Sequence, residues 1–213
     1  MNKLTIVCNP ANYGGLRQQK VKYIVVHYTA GDGDTAEDNG RYFAENRVGA
    51  SAHWFVDEKS LLLSVPESHV AWHCGGSTYL HPECRNENSI GVELCSKKDC
   101  DGNYVFDQKT LEHAAVLIRE LMKKYDVEIG NVLRHYDVTG KKCPAPMTEA
   151  GPWEEFLSMI IRYQSVEEVP QWAQETVQKL MERQILRGDG QSLDLSRDMV
   201  RILVLLDRAG TFG

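Results

Sequence analysis

The stretch Val21-Lys22-Tyr23-Ile24-Val25-Val26, which runs into His27-Tyr28, decides the fold class of this 213-residue chain. It is β-branched and almost entirely apolar, which is typical of a central strand buried on both faces of a sheet. Working outward, residues 89–94 and 131–134 are predicted strands. Residues 52–56 and 61–65 are two more, joined by a polar hairpin turn at 57–60. Helical patterns lie between these strands, so the sequence predicts an α/β domain.

Three helices are predicted in this first part of the chain. Thr35 and Asp38 form an N-terminal cap signal for a helix that breaks near residues 46–49. Asp107 caps a second helix, and Pro152 suits the first turn of a third. Residues 66–88 have no clean periodicity and are interpreted as a long surface loop of the kind that usually carries function. Residues 135–146 are predicted to be irregular.

A second unit is predicted at residues 166–213, after a boundary near residues 165–170. It contains two amphipathic helices, at about 171–187 and 196–208, the first of which stops at Gly188-Asp189-Gly190. Two helices make a small core, so this unit is expected to pack on something else. The side chains predicted to face its core are Trp172, Ala173, Val177, Leu180, Met181, Met199, Ile202, Leu203 and Leu206.

Composition excludes several classes of protein. The net charge is -6 and 42 % of the residues are hydrophobic, so the chain is neither disordered nor attracted to nucleic acid or anionic membranes. No stretch is long enough to insert into a membrane. The first apolar run, residues 4–8, is shorter than the core of a signal peptide, so we expect no signal peptide and synthesis in the reducing cytoplasm.

The chain contains six cysteines, and we interpret five of them as free thiols rather than as parts of a disulfide framework. The alternative for four of these five is a second metal site, although their spacing fits no zinc module. The five cysteines are Cys8, Cys74, Cys84, Cys95 and Cys100, and the four are those from Cys74 to Cys100.

His27, His135 and the sixth cysteine, Cys143, stand out by position. His27 follows the most hydrophobic strand, and Cys143 comes eight residues after His135 with Gly140 between them. Two imidazoles and a thiolate satisfy a catalytic zinc site, which takes three protein ligands and leaves the fourth position to water. The alternative is a structural role for all three side chains, because free cysteines are usually buried and single histidines are usually structural.

Glu93 and Lys141 are candidate catalytic groups. A carboxylate at the end of an apolar strand is costly unless it is paired or useful, and beside zinc it could move a proton between water and a leaving amine. A lysine two residues before Cys143 could stabilise an oxyanion. The alternatives are a salt-bridged Glu93 and a solvated Lys141.

Five motifs together resemble the zinc-dependent N-acetylmuramoyl-L-alanine amidases, a superfamily that includes phage lytic amidases, muramyl-peptide recycling amidases and animal peptidoglycan recognition proteins. The resemblance covers about residues 1–163. The motifs occur in the order Tyr23-Ile24-Val25-Val26-His27-Tyr28-Thr29-Ala30-Gly31, Ser51-Ala52-His53-Trp54-Phe55-Val56, Ala71-Trp72-His73-Cys74-Gly75, Asn88-Ser89-Ile90-Gly91-Val92-Glu93, and Arg134-His135-Tyr136-Asp137 through Lys141-Lys142-Cys143-Pro144.

The resemblance implies a mixed central β-sheet flanked by helices, with a zinc cleft on one face. It implies hydrolysis of the amide bond between N-acetylmuramic acid and L-alanine in bacterial peptidoglycan, by a water bound to Zn²⁺. By motif, the metal ligands are His27, His135 and Cys143, and the catalytic positions are Glu93 and Lys141. Several members carry a catalytic tyrosine at the position of Ala52, so here Glu93 is the expected general base.

Further expectations concern the substrate and the source. Trp72 is expected to lie against the sugar or peptide, with His73 and Asn88 as hydrogen-bonding partners. The alternative makes Trp72 a core residue and His73 a loop residue. The expected source is a phage or prophage endolysin, which stays in the cytoplasm of the producing bacterium until lysis releases it to the wall. A non-catalytic peptidoglycan-binding module is the alternative function, and a structural zinc protein is a third.

The second unit resembles a divergent S-layer-homology-type helical hairpin, on Val169-Pro170-Gln171-Trp172-Ala173-Gln174-Glu175-Thr176-Val177 and on Ile185-Leu186-Arg187-Gly188-Asp189-Gly190. That resemblance implies attachment to the cell wall. The alternatives are docking on the catalytic domain and formation of a homodimer through the C-terminal helices.

Overall fold

A computed structural model describes residues 1–188 and 192–212. The chain forms two compact units, Met1–Phe156 and Leu157–Gly213. The sequence places the division somewhat later, at 163–166, and its assignment of the two domains stays a prediction. Asp189 and Gly190, at the predicted stop of a C-terminal helix, lie outside the described residues.

A six-stranded mixed sheet forms the centre of the first unit, within the described part of the chain. Its spatial order is β1-β5-β4-β7-β3-β10, with β4 and β5 antiparallel and the other neighbours parallel. Helices flank this sheet, which confirms the predicted α/β class. The strands are β1 (Asn2–Thr5), β2 (Tyr13–Leu16), β3 (Tyr23–Tyr28), β4 (Trp54–Val56), β5 (Ser60–Leu63), β6 (His69–Ala71), β7 (Ser89–Leu94), β8 (Lys97–Lys98), β9 (Tyr104–Val105) and β10 (Val132–Arg134).

The helices that start at Ala36 and Gln108 begin after the predicted caps, whereas the helix predicted to start near Pro152 begins two residues earlier, at Ala150. Thr35 and Asp38 form a reciprocal capping box, and the Asp107 side chain accepts a hydrogen bond from the Lys109 amide. An unpredicted short helix at His135–Thr139 replaces part of the irregular segment expected at 135–146. The helices are α1 (Ala36–Glu45), α2 (Gln108–Tyr125) and α3 (His135–Thr139), followed by α4 (Ala150–Ile160), which includes the division between the units at residues 156 and 157.

Strand register places four important positions on one face of the sheet. His27 of β3 pairs with Glu93 of β7, and Val25 pairs with Gly91. Because successive residues of a strand point to opposite faces, these four residues share a face. The same face carries Phe55, the β4 neighbour of Glu93, which packs in a cluster with Ala36 of α1.

The predicted loop at 66–88 is more ordered than its composition indicates. It contains β6, which pairs with β2, and several of its side chains are buried. The Arg17 guanidinium holds both ends of the loop. It donates hydrogen bonds to backbone carbonyls of residues 67 and 69 at one end and of residues 86, 87 and 89 at the other. A single side chain thereby closes the base of this loop.

The second unit contains β11 (Arg162–Tyr163), β12 (Leu195–Ser196), α5 (Gln171–Glu182) and α6 (Arg197–Arg208). Its small core includes Ala173 and Val177 from α5 and Val200 and Val204 from α6. The predicted core stripe was wrong in part. Exposed side chains among those predicted to be buried are Trp172, Met181, Met199, Ile202 and Leu206.

Two further features of the described residues concern membrane-spanning helices and the state of the cysteines. No helix in residues 1–188 and 192–212 is both long and apolar enough to cross a membrane. All six cysteines have free thiols; Cys100 is exposed and the others are buried.

Candidate metal centre and active site

Three side chains of metal-ligand type converge at one end of the sheet. His27 extends from β3, His135 is the first residue of α3, and Cys143 lies in the following loop. One ligand atom from each residue lies within 4.8 Å of the others, and all three residues are buried. Cys143 Sγ is 3.6 Å from His27 Nδ1. The structure therefore brings together the trio predicted from the sequence.

The turn after α3 carries Cys143 back to His135. Gly140 ends the helix with a φ of 79°, in the left-handed region that glycine adopts without steric cost. The Tyr136 amide then donates to the Cys143 carbonyl across 2.8 Å. This local geometry converts an eight-residue separation into side-chain proximity.

One ring nitrogen of His135 is without a proton. Its Nε2 lies 3.2 Å from the Gly75 carbonyl, which can only accept, so Nε2 carries the proton. Its Nδ1 is buried and has no hydrogen-bond partner among residues 1–188 and 192–212. Burial, followed by the charge of Lys141, lowers the pKa of His135 to about 4, so the ring is neutral. A neutral imidazole with an unpartnered buried nitrogen fits a metal ligand.

The donor set suits Zn²⁺ in particular. Two imidazole nitrogens and a thiolate form a ligand set found in catalytic zinc sites. Burial, together with the nearby Glu93, raises the pKa of the Cys143 thiol to about 12. Burial and the neighbouring His73 hold the pKa of His27 well below its usual value. The residues present could therefore hold a zinc ion with neutral histidines and a thiolate formed on binding.

Glu93 lies beside this trio with an uncommitted oxygen. Its Oε2 is buried and has no hydrogen-bond partner in the described part of the chain. Desolvation raises the pKa of this carboxyl to about 8, and the charge of Lys141 opposes that shift. A carboxyl that titrates near neutrality can both take and return a proton. Among the residues that the structure describes, none forms an ion pair with Glu93, which disfavours the salt-bridged alternative.

A cleft of about 300 Å³ opens over these groups. Lys141 and Lys142 are both exposed and both line it, so the structure does not reduce the choice to one lysine. The residues around the cleft are His27, Tyr28, Thr29, Ala30, Asn39, Phe43, Ala50, Ser51, Phe55, Trp72, His73, Glu93, His135, Lys141, Lys142 and Cys143. A larger cavity of about 1020 Å³, around Arg17 and Glu67, contains none of the predicted site residues.

Trp72 occupies the rim of the cleft. Its side chain is 38 % exposed. Ser51 anchors its backbone, because the Trp72 amide donates to Ser51 Oγ and the Ser51 amide donates to the Trp72 carbonyl, each across 3.0 Å. An indole held in this way is free to contact a ligand with its ring.

His73 and Asn88 are both occupied by protein partners. Asn88 Oδ1 accepts from the Arg85 amide, Nδ2 donates to the Glu83 carbonyl, and the residue does not line the cleft. His73 is 8 % exposed, and its two ring nitrogens contact His27 and Ser89. The polar atoms of both side chains therefore bond to protein partners within the described residues.

Sequence reasoning did not find Asn39, Phe43 or Ser51 at this cleft. Asn39 and Phe43 lie one turn apart on α1, and their pattern there is that of an ordinary amphipathic helix. Ser51 was visible as the first residue of the Ser51–Val56 motif, but only the fold places it under Trp72. Their contribution depends on packing between distant segments.

Comparison with known proteins places the chain in a family. The model of the N-acetylmuramoyl-L-alanine amidase family matches residues 17–146. The chain belongs to this amidase family. The matched segment contains every side chain of the candidate site, and it confirms the resemblance drawn from the five motifs. The second unit lies outside it.

Individual relatives and structures agree with this membership. The chain is 39 % identical over 142 residues to the N-acetylmuramoyl-L-alanine amidase CwlL of Bacillus licheniformis and 39 % identical over 146 residues to BlyA of Bacillus subtilis. Each match covers 62 % of this chain but 38 % of the relative. A mutant endolysin from Bacillus subtilis has the same fold, with a TM-score of 0.63 and 29 % identity over 76 % of this chain and 99 % of that one.

Proposed function

We propose that this family member hydrolyses the amide bond between N-acetylmuramic acid and L-alanine in bacterial peptidoglycan, with a zinc-activated water. The observation that carries this proposal is the convergence of His27, His135 and Cys143 beside the unpartnered Oε2 of Glu93. Family membership and the relatives named as amidases support the same reaction.

Each group of the cleft has a separate role in the proposed reaction. Zn²⁺ held by the three ligands would supply a Lewis acid for the scissile carbonyl and a water of lowered pKa. Glu93 Oε2 accepts the proton of the attacking water and returns it to the nitrogen of L-alanine as the amide bond breaks. The Lys141 ammonium stabilises negative charge on the former carbonyl oxygen.

Trp72, at the rim of the cleft, is the residue proposed to position the substrate. The Trp72 indole would lie against the sugar or the stem peptide, and its partial exposure supports this role. His73 and Asn88 are given structural roles instead, because their polar atoms bond to the protein. Ala52 offers no hydroxyl, so Glu93 remains the general base of the proposed reaction.

The ligand count disfavours a purely structural zinc site. Structural sites have four protein ligands, whereas the group formed by His27, His135 and Cys143 has three within the described residues. Three ligands leave a position for water. A non-catalytic binding module of the same fold is disfavoured by the same trio and by Glu93, since binding alone needs neither.

We further propose an endolysin role at the bacterial cell wall, with storage in the cytoplasm of the producing cell until lysis. A structural neighbour is an endolysin, and its whole length is matched here. The decisive experiment combines metal analysis of the purified protein with mass spectrometry of digested peptidoglycan. We expect bound zinc, new N-terminal alanine and no new reducing sugar ends; new reducing ends would indicate a glycosidase.

For the second unit we propose homodimer formation through α6. Four apolar side chains of this helix are exposed, namely Met199, Ile202, Leu205 and Leu206. Light scattering after size exclusion should give a dimer for the full chain and a monomer for Leu205→Asp, while Arg201→Gln on the same helix should stay dimeric. A monomeric wild type that loses binding to purified walls on Leu205→Asp substitution would favour wall attachment instead.

A further inference from the structure

The second ring nitrogen of His27 faces another imidazole. While Nδ1 faces Cys143, Nε2 lies 3.0 Å from Nδ1 of His73. A histidine that binds a metal usually donates its other N–H to a carboxylate, a backbone carbonyl or water, which fixes its tautomer. An imidazole can either donate or accept, so the His73 tautomer has to be fixed in turn.

A run of hydrogen bonds beyond His73 fixes it. Ser89 Oγ donates to the Arg85 carbonyl across 2.6 Å, and this carbonyl can only accept. The Ser89 proton is therefore committed, and Oγ accepts from the Nε2–H of His73 across 3.1 Å. His73 Nδ1 is then bare and accepts the Nε2–H of His27. The donor and the acceptor of each hydrogen bond from Ser89 to His27 therefore follow from the Arg85 carbonyl, which can only accept.

We propose that His73 is a positioning residue for the metal site, which together with Ser89 holds His27 in the Nε2–H tautomer and aims its bare Nδ1 at the metal. This inference rests on the proposed zinc site. The arrangement matches that of His135, whose Nε2–H donates to the Gly75 carbonyl and whose Nδ1 is likewise bare. The two histidines reach the same tautomer by different means.

Gly91 makes the room that the His73 ring needs. A Cβ at this position would lie 2.5 Å from His73 Cγ, closer than van der Waals contact allows. Gly91 sits on the same face of the sheet as Glu93, two residues along β7. The absence of a side chain there lets the ring lie against the strand within reach of His27.

The His73 ring is also held from its other sides. The His73 amide donates to Asn86 Oδ1 across 3.0 Å, and the ring packs edge-on against His53, with 5.7 Å between ring centroids. The His27 ring meets it edge-on as well, at 5.2 Å. These contacts restrain the His73 ring, so the fixed position of its Nδ1 can orient the His27 ring.

The first test compares two substitutions of His73 whose new side chains, leucine and asparagine, have similar shapes. His73→Leu removes the acceptor for His27, whereas His73→Asn places an amide oxygen near the position of Nδ1. We expect zinc affinity, measured by competition with a chromophoric chelator, to fall about 10- to 100-fold in the leucine variant and about threefold or less in the asparagine variant. Equal losses in the two variants, or no loss in either, would overturn the proposal.

The second test leaves the imidazole in place. Gly91→Ala forces the His73 ring away from β7 and should also lower zinc affinity. Gly15→Ala is the control, since a Cβ there meets nothing within 4 Å. An affinity for Gly91→Ala equal to that of the Gly15→Ala protein would contradict the positioning role.

The third test needs no substitution and no activity. Nitrogen-15 NMR of the metal-free wild type should show the proton of His27 on Nε2 and that of His73 on Nε2. The opposite tautomer at His27 would refute the inference even if the protein binds zinc. A wild type that binds no zinc would instead refute the proposed function, so the two failures are distinguishable.

Discussion

His27 and Glu93 occupy paired positions on the neighbouring parallel strands β3 and β7. The pairing puts a candidate metal ligand and a candidate general base on one face of the sheet, about one strand spacing apart. Backbone hydrogen bonds between two buried strands hold this distance. The relative position of the two groups therefore does not depend on any loop, whereas that of Cys143 depends on the turn at Gly140.

Replacing Cys143 by serine should abolish zinc binding while the fold survives. A serine hydroxyl does not ionise in the range where a thiol does, so the site loses its anionic ligand. We expect about one zinc per chain in the wild type, almost none in the variant, and a loss of wall lysis of at least about 100-fold. Cys100→Ser, at an exposed thiol, is the control. Normal lysis by Cys143→Ser would end the zinc-amidase proposal.

Replacing Glu93 by glutamine should separate metal binding from turnover. The amide has nearly the shape of the carboxyl but cannot accept the proton of the attacking water. Zinc content should stay at the wild-type level while kcat falls by about 10²- to 10⁴-fold. Glu112→Gln, on the exposed side of α2, should change neither quantity. Unaltered turnover in Glu93→Gln would show that another group is the general base.

Replacing Arg17 by lysine should destabilise the first unit. A lysine ammonium cannot reach the five carbonyls that the guanidinium bonds at both ends of the 66–88 loop. We expect the free energy of unfolding to fall by at least about 2 kcal/mol in urea denaturation. The exposed Arg41→Lys should cost less than about 0.5 kcal/mol. Equal stabilities would mean that the loop is held by its other contacts.

His53 should make the unfolding free energy depend on pH below neutrality. Burial, followed by the charge of Arg17, lowers its pKa from 6.5 to about 3. Between these two values the unfolded state binds a proton that the folded state does not, so stability falls as the pH falls. The contribution is at most about 1.4 kcal/mol per pH unit.

The variant His53→Asn measures this contribution. It keeps an acceptor for the Gly91 amide, which donates to His53 Nδ1 across 2.9 Å, and removes the titrating ring. Denaturation curves of wild type and variant between pH 3 and 6.5 should show a steeper loss of stability in the wild type. Parallel curves would show that His53 titrates at the same pH in both states.

Local sequence patterns predicted most of the strands and helices of the first unit. The apolar run at β3, the caps at Thr35 and Asp107 and the polar turn between β4 and β5 each act within a few residues, so the sequence reveals them. The short helix α3 was missed because His135–Thr139 contains two β-branched residues and no strong helix former. The Asp137 carboxylate stabilises its start by accepting from the Arg134 amide and guanidinium.

Other errors arose from contacts between distant segments. Strand β6 exists because it pairs with β2, more than fifty residues earlier, and three residues are too few for a periodic signal. In α6 almost every position is apolar over two turns, so spacing alone did not reveal that Val200 and Val204 face the core. The prediction that His73 binds the substrate was made without the knowledge that Gly91 of β7 leaves room for the His73 ring beside His27.

Strand β1 protects one edge of the sheet. It runs parallel to β5 from Asn2 to Thr5, and it precedes the segment that the family model matches, which begins at residue 17. A fragment trimmed to the matched segment would leave the backbone amides and carbonyls of β5 unpaired along an apolar strand. Such an edge recruits further chains by strand addition, so the trimmed protein should precipitate on expression even though it retains every group of the cleft.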